Sequence, residues 1–354
     1  MANVLVTGAT GFIGQHLVRS LVNRGDDVTC LVRPSSDRGK LRSLEPNFVD
    51  GDLGDERSVR EAVEGMDLVF NLAGTTKALN ERGFHRANVR GAQMIAKCAA
   101  GSAVAPKLVH VSSLAATGPS TASRPRVETD AAAPVSRYGK SKLAGEVAIR
   151  QFADEVNVSI VRPPIVLGPG DRDGFQIFKS ISTWSLHLIA GLSDQRFSVI
   201  HVEDLCNTLL HVADSGQRVV SDPTDHQGVY FAAHDQIPTY AELGQMVARA
   251  LGKRHIIKLH APIPMIWGIA AVSECYSQIR RRPHILSLDK VREANAGSWS
   301  CDAGKLCRET GFEFPKSLQE RIDETARWYI NKGWIKASSR QSESSSSHTG
   351  AASS

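Results

Sequence analysis

The stretch TGATGFIG at residues 7 to 14 constrains the fold of this chain more than any other. It follows the short apolar run Val4–Val6 and opens Phe12–Arg24, where apolar residues recur with helical spacing. Gly8, Gly11 and Gly14 stand three apart. A chain that leaves a strand, turns sharply and enters a helix needs residues without a Cβ at three places. These are where it bends, where bare backbone approaches a pyrophosphate, and where the helix packs on the sheet. The helix start also offers unpaired N–H groups and a positive dipole end to phosphates. A glycine triplet alone means little; after a strand and before an amphipathic helix it predicts a dinucleotide-binding βαβ unit.

Strand-like segments recur with helical stretches between them: Asp27–Val32, Leu68–Leu72, Leu108–Ser112 and Val158–Arg162. That rhythm predicts an α/β chain with a Rossmann-type, doubly wound parallel sheet covered on both faces. It changes after about residue 165, where GPGDRDG (168 to 174) opens a stretch of longer loops, mixed helices and short strands. The expected division is a nucleotide-binding part, 1–165, to which later segments can return, and a smaller substrate-covering part, 166–335. Residues 336–354 form a Ser-rich tail with nothing to bury, expected to be disordered.

The net charge of +5 is spread along the chain, with no long basic run for nucleic acid. The six cysteines, at 30, 98, 206, 275, 301 and 307, form no CxxC pair, so neither a metal site nor a disulfide framework is signalled. A reducing compartment fits this usage. No charged and then apolar leader precedes the first strand, so a cytoplasmic location is expected. The longest apolar stretch, PMIWGIAAV (264 to 272), falls far short of the roughly 20 residues that span a bilayer.

NAD-preferring sites place an acidic residue at the end of the second strand, on the ribose 2′-OH. Here that strand ends CLVRP and puts Arg33 at the position. A guanidinium suits a 2′-phosphate and accepts nothing. Arg38 and Lys40 follow in the same loop and add charge, so NADP(H) is favoured over NAD(H). In GDL, Asp52 either accepts from the adenine amino group or closes a turn.

LVHVSSLAATG (108 to 118) delivers Ser112 and Ser113 to the C-terminal edge of the sheet, where open α/β sheets bind ligands. Then comes YGKSK, with Tyr138 and Lys142 one helical turn apart. Reducing a ketone by hydride leaves an alkoxide that needs a proton. A free tyrosine, with a pKa of about 10, is a poor donor and acceptor at neutral pH, and a nearby ammonium favours the phenolate. A serine hydroxyl can hold the reacting oxygen.

TGATGFIG, the Ser112–Ser113 strand end and YGKSK, joined by NLAG (71 to 74), ANVRGA (87 to 92), VRPPIVLGPGD (161 to 171) and IHVEDL (200 to 205), resemble the extended short-chain dehydrogenase/reductase family, also called the NAD-dependent epimerase/dehydratase family. The resemblance runs from residue 3 to about 335. It implies Tyr138 as general acid–base, Lys142 as its partner and ribose ligand, and Ser113 as the catalytic hydroxyl. It implies cofactor contacts at Gly8, Thr10, Gly11, Phe12, Ile13 and Gly14, at Arg33, Lys40, Asp52 and Leu53, at Leu72, Ala73 and Gly74, and at Ser112, Tyr138, Lys142 and Pro163. It also implies a homodimer built from the YxxxK helix and the one before it, with Val147, Ala148 and Phe152 offering an apolar patch.

The sequence departs from the sugar-nucleotide enzymes. Ile165 stands where they carry an asparagine, and Leu114-Ala115-Ala116 where dehydratases carry an Asp-Glu pair. The resemblance is closer to the dihydroflavonol reductase and β-hydroxysteroid dehydrogenase branch and to hopanoid-associated epimerase-like proteins. The expected activity is interconversion of a secondary alcohol and a ketone on an apolar or mixed small molecule. The alternatives are a nucleotide-sugar epimerase with retained NAD and a non-catalytic dinucleotide sensor. PMIWGIAAVSECY (264 to 276) reads as a core helix, a pocket lining or a membrane contact. In IHVEDL, Glu203 or Asp204 is expected to cap a helix.

Overall fold

The computed structural model describes residues 1–190, 195–262, 264–268, 273, 280 and 288–336. Its strands are Asn3–Thr7 (β1), Asp27–Val32 (β2), Asn47–Asp50 (β3), Leu68–Asn71 (β4), Lys107–Val111 (β5), Val158–Arg162 (β6), Ile165–Leu167 (β7), Leu186–Ala190 (β8), Val199–His201 (β9), Val229–Phe231 (β10) and Ile257–Ala261 (β11). Seven of them form one parallel sheet in the order β10-β6-β5-β4-β1-β2-β3. Chain order reverses between β1 and β4, and the crevice beyond their C-terminal ends is where such a sheet takes its ligand. The doubly wound parallel sheet read from the sequence is therefore present.

Helices cover both faces. Phe12–Arg24 (α1) ends at Gly25, whose φ of 86° closes it in the left-handed region. Glu56–Val63 (α2) follows, then Glu81–Phe84 (α3), which runs through a wide turn, His85–Arg90, into Gly91–Ala100 (α4). Arg137–Arg150 (α5), Phe175–Trp184 (α6), Val202–Ser215 (α7) and Tyr240–Ala250 (α8) complete the larger helices before residue 255. One core lies between the sheet and α1 with α7, filled by Val4, Val6, Leu17, Leu21, Phe70, Val109 and Leu205. The other lies under α2, α4 and α5, with Leu5, Val69, Leu108, Ile149 and Ile160. Thus α7 and β10, although late in sequence, complete the main sheet.

A third core joins α6, α8 and the helix Leu318–Asn331 around Phe178, Leu243, Ile322 and Tyr329. Capping boxes Thr239–Glu242 and Ser317–Glu320 start the last two of these helices. The pairs β7·β9 and β8·β11 are separate two-stranded parallel ribbons. Residues 337–354, and most of 264–276, lie outside the described residues.

Candidate active site

The glycine loop is an interlock of backbones. Gly8 has a φ of 72°, and a Cβ there would lie 2.8 Å from Leu72 C and Ala73 N at the end of β4. A Cβ on Gly14 would lie 2.3 Å from the Gly8 carbonyl oxygen. Gly11 precedes the first turn of α1 and donates its N–H to Gly8 O at 3.0 Å. That first turn carries no acidic residue, so nothing opposes an anion at its amides. Thr10 O accepts from Gln15 Nε2, and Phe12 and Ile13 are half-buried at the helix start. These residues make a cradle that side chains would fill, and it fits a pyrophosphate.

Arg33 follows β2 directly and is exposed, as is Lys40. Arg38 is engaged elsewhere: it pairs with Asp50 and lies over the Phe48 ring. Asp52 accepts from Gly54 N–H at 2.8 Å, which is the turn role. Leu53 packs towards Gly91. At the end of β4, Ala73 N–H donates to Thr7 Oγ1, and a Cβ on Gly74 would sit 2.9 Å from Asn88 Oδ1.

Ser113 is extended and starts the single turn Leu114–Ala116, which Pro163 O holds by accepting from Leu114 N–H at 2.8 Å. The Ser113 hydroxyl accepts from Ala115 N–H at 3.2 Å and is close enough to the Tyr138 phenol to lower its pKa. Ser112, its neighbour, faces the other way and donates to Glu146, which also pairs twice with Arg162 at 2.9 and 2.6 Å. Two glycines in YGKSKLAGE let α5 come this close. A Cβ on Gly139 or on Gly145 would lie 2.3 Å from Ala115 O or Asn88 O respectively.

Lys142 is buried and donates to Val111 O at 2.7 Å. Burial lowers its pKa to about 8, with Glu146 opposing. Asn88, in the quoted ANVRGA, was given no role by the sequence. Its amide accepts from Thr75 N–H and donates to Thr75 O and to Ser141 Oγ, tying the β4 end to α5.

The sequence also gave no sign of the helix Leu288–Asn295. Asp289 accepts from the Arg137 and Tyr138 amides at 2.8 and 3.1 Å and so caps α5. Ser136 donates to Glu293. Lys290 Nζ lies 5.5 Å from the Tyr138 ring centroid and 2.7 Å from Glu293 Oε2. Burial raises the phenol's pKa most, Ser113 and Lys290 lower it, and Glu293 raises it. Lys290, which the sequence did not single out, thus puts a second cation near the Tyr138 ring.

The expected cap of α7 needs correction. His201 Nδ1 accepts from Glu203 N–H, while Asp204 is drawn into an ion pair with Arg321. His201, Glu203 and Glu324 bring ligand atoms within 4.8 Å of one another. The Arg321 guanidinium already donates to both glutamates, so the cluster has its cation and reads as an ion-pair network.

The sequence pattern of the NAD-dependent epimerase/dehydratase family matches residues 4–223. A ceramide reductase from Caulobacter vibrioides is 31% identical over 94% of this chain and 96% of that protein. The chain belongs to the NAD-dependent epimerase/dehydratase family. As a member of this extended short-chain dehydrogenase/reductase group it is an NAD(P)-dependent dehydrogenase, reductase or epimerase. Sterol demethylase protein B of Methylococcus capsulatus is 26% identical over 94% of the chain and 99% of that protein. The fold is shared with a dTDP-glucose 4,6-dehydratase from Streptomyces venezuelae solved with NAD bound. That structure has a TM-score of 0.72 and 21% identity, over 94% of this chain and 99% of that one. Among the described residues no helix is long and apolar enough to cross a membrane.

Proposed function

We propose that this enzyme interconverts a secondary alcohol and a ketone on an apolar or mixed substrate. The observation that carries the reading is the Ser113 hydroxyl beside the Tyr138 phenol at the C-terminal edge of the sheet, with Lys142 one turn along the same helix. NADP(H) bound over the glycine loop would supply or take the hydride. In reduction, Ser113 holds the substrate oxygen and the Tyr138 phenol gives it a proton; oxidation runs the same groups in reverse. Lys142, with a pKa near neutrality, is suited to return a proton towards the phenol and to hold ribose hydroxyls.

The surroundings of Tyr138 favour an apolar substrate. Leu114, Ala115, Trp299, Cys301 and Phe231 form a buried cluster against which Tyr138 packs. Ile165 is exposed where a sugar-nucleotide enzyme would offer an amide. Relatives named for ceramide and sterol chemistry agree with this. Arg33, exposed beyond β2, supports NADP(H) over NAD(H). The same reading has the enzyme work as a homodimer through the outer faces of α4 and α5. Val147 is exposed there, while Ala148 is buried within its own subunit and takes no part.

The test is an NADPH-consumption screen over keto-lipids, sterol ketones, flavonoids and sugar nucleotides, repeated with Tyr138→Phe. That change should cost about 10²–10⁴-fold in kcat while NADPH still binds. Near-normal turnover in this variant would remove the reading. Arg33→Asp should move preference from NADPH towards NADH. Tightly retained NAD in the purified protein, with sugar-nucleotide turnover, would favour the epimerase instead.

A further inference from the structure

The β8–β11 ribbon leaves one face bare, and on the other only β8 is covered, Lys258 and His260 of β11 being exposed there. The register sets Ile257 beside Leu186 and Leu259 beside Leu188, so these four side chains point the same way. Leu188, Ile257 and Leu259 are 51%, 64% and 50% exposed. On the opposite face His187 and Ile189 are buried, with His187 Nε2 bonded to Tyr240 O. Trp184, at the end of α6, is 65% exposed, and Met265, just past β11, is 52% exposed. Five of the nine exposed large apolar residues among those described thus fall on or beside this ribbon, which is a patch and not a scatter.

The segments that carry the patch are basic. Residues 174–190 and 243–268 contain five lysines and arginines, Lys179, Arg249, Lys253, Arg254 and Lys258, and no Asp or Glu. Among the described residues none of the five forms an ion pair; Lys253 donates to Ser185 Oγ. The Glu242 carboxylate, which feels Lys258, is already held by Thr239 N–H in the cap of α8.

We propose that this face docks the enzyme on an anionic lipid surface. Trp184, Leu188, Ile257 and Leu259 enter the boundary between headgroups and acyl chains, and the basic residues meet the anionic headgroups. A tryptophan at the rim suits that boundary, where one side of its ring is apolar and the other wet. A second copy of the chain is the poorer occupant, because pairing two such faces brings like charges together without relief. The inference needs no assumption about the reaction, since docking is read without turnover.

The experiment is flotation of the full chain with phosphatidylcholine vesicles, with and without phosphatidylglycerol. Binding is expected only with the anionic lipid, and it should be lost in about 1 M salt, where the screening length falls to about 3 Å. Lys253→Glu, a change of two charges at the side chain that reaches Ser185 beside Trp184, should weaken it roughly 25-fold, at roughly fivefold per charge. Leu259→Glu should abolish it with the melting temperature unchanged, since the side chain is exposed in the free protein. Vesicles should shift tryptophan emission to the blue, and Trp184→Phe should remove that shift. Equal binding to both vesicle types, or none to either, would overturn the proposal. So would a fall in oligomeric mass on Leu259→Glu, which would show that a second copy covers the face.

Discussion

The two faces of the central sheet are built on different terms. Towards α1 and α7 every inward residue of β1, β4 and β5 is apolar: Val4, Val6, Leu68, Phe70, Val109 and Val111. Towards α4 and α5 the same strands begin apolar, with Leu5, Val69 and Leu108, and end polar, with Thr7, Asn71 and His110. Beyond them come Ser112 and Arg162, both buried. The polar ends form a chain: Ala73 N–H donates to Thr7, Thr7 to Asn71, and the Asn71 amide to His110 Nδ1. His110 Nε2 is buried without a partner, and burial keeps the ring neutral. One face holds the sheet together by area. The other gives up part of that area to hold α5, and with it Tyr138 and Lys142, in a fixed orientation.

The comparison predicts different responses to loss. Glu146→Ala leaves a buried guanidinium and the Ser112 hydroxyl without their acceptor, and should cost about 3–5 kcal/mol. Glu146→Leu with Arg162→Met should recover most of it. On the apolar face Leu17→Ala should cost about 2–5 kcal/mol, with no partner change able to restore it. Denaturant melts of the four proteins compare the faces directly; a Glu146 loss below that of Leu17, unrelieved by the double change, would show the faces to be alike.

Lys142→Met should have the opposite sign at neutral pH. Burial depresses the lysine's folded pKa from its ordinary 10.5 to about 8, so its contribution is full above 10.5 and is lost as pH falls through 8. Removing it should stabilise the protein at pH 7 by about 2 kcal/mol. That is about 3 for the shift, less about 1 for the hydrogen bond to Val111 O. The gain should fade and then reverse towards pH 10.5, which thermal melts across that range would read.

His110→Leu should cost about 1 kcal/mol, because it strands the Asn71 amide while deleting an unpaired donor. A loss as large as that from Glu146→Ala would mean that the Thr7–Asn71–His110 chain, and not the ion pair, anchors this face. The smallest effect is a displacement in pH. Lys290→Met removes a cation that favours the phenolate, so the acidic limb of kcat/KM for alcohol oxidation should move to higher pH, and Lys290→Arg should restore it. An unmoved limb would reduce Lys290 to a purely structural contact.

The apolar face was legible in the sequence because it is made of local patterns. Alternating or continuous apolar strands, a helical stripe and a glycine loop each announce themselves within about a dozen residues. The polar face was legible only in its residue types. Ser113, Tyr138 and Lys142 were named, yet nothing local shows that Ser112 turns to Glu146 or that Gly139 and Gly145 admit backbone contacts, since both depend on α5 meeting distant segments. The His201 cap was missed for a related reason. Asp204 is the better cap by type, but Arg321, 117 residues on, draws its carboxylate away. The strand β10, three residues long, is too short for any period to reveal.

The clasp of Asp289 on the first amides of α5 bears on the order in which the molecule is completed. All seven strands of the sheet are in hand once residue 231 has left the ribosome. Ser136 caps Gly139 N–H locally, but the first two amides of α5 find their acceptor only in a carboxylate 151 and 152 residues downstream. A contact of that sequence separation is slow to close and comes after local structure. A nascent or truncated chain ending between 231 and 289 can therefore own a finished sheet and glycine loop while the first two amides of the helix that carries its tyrosine still lack their acceptor.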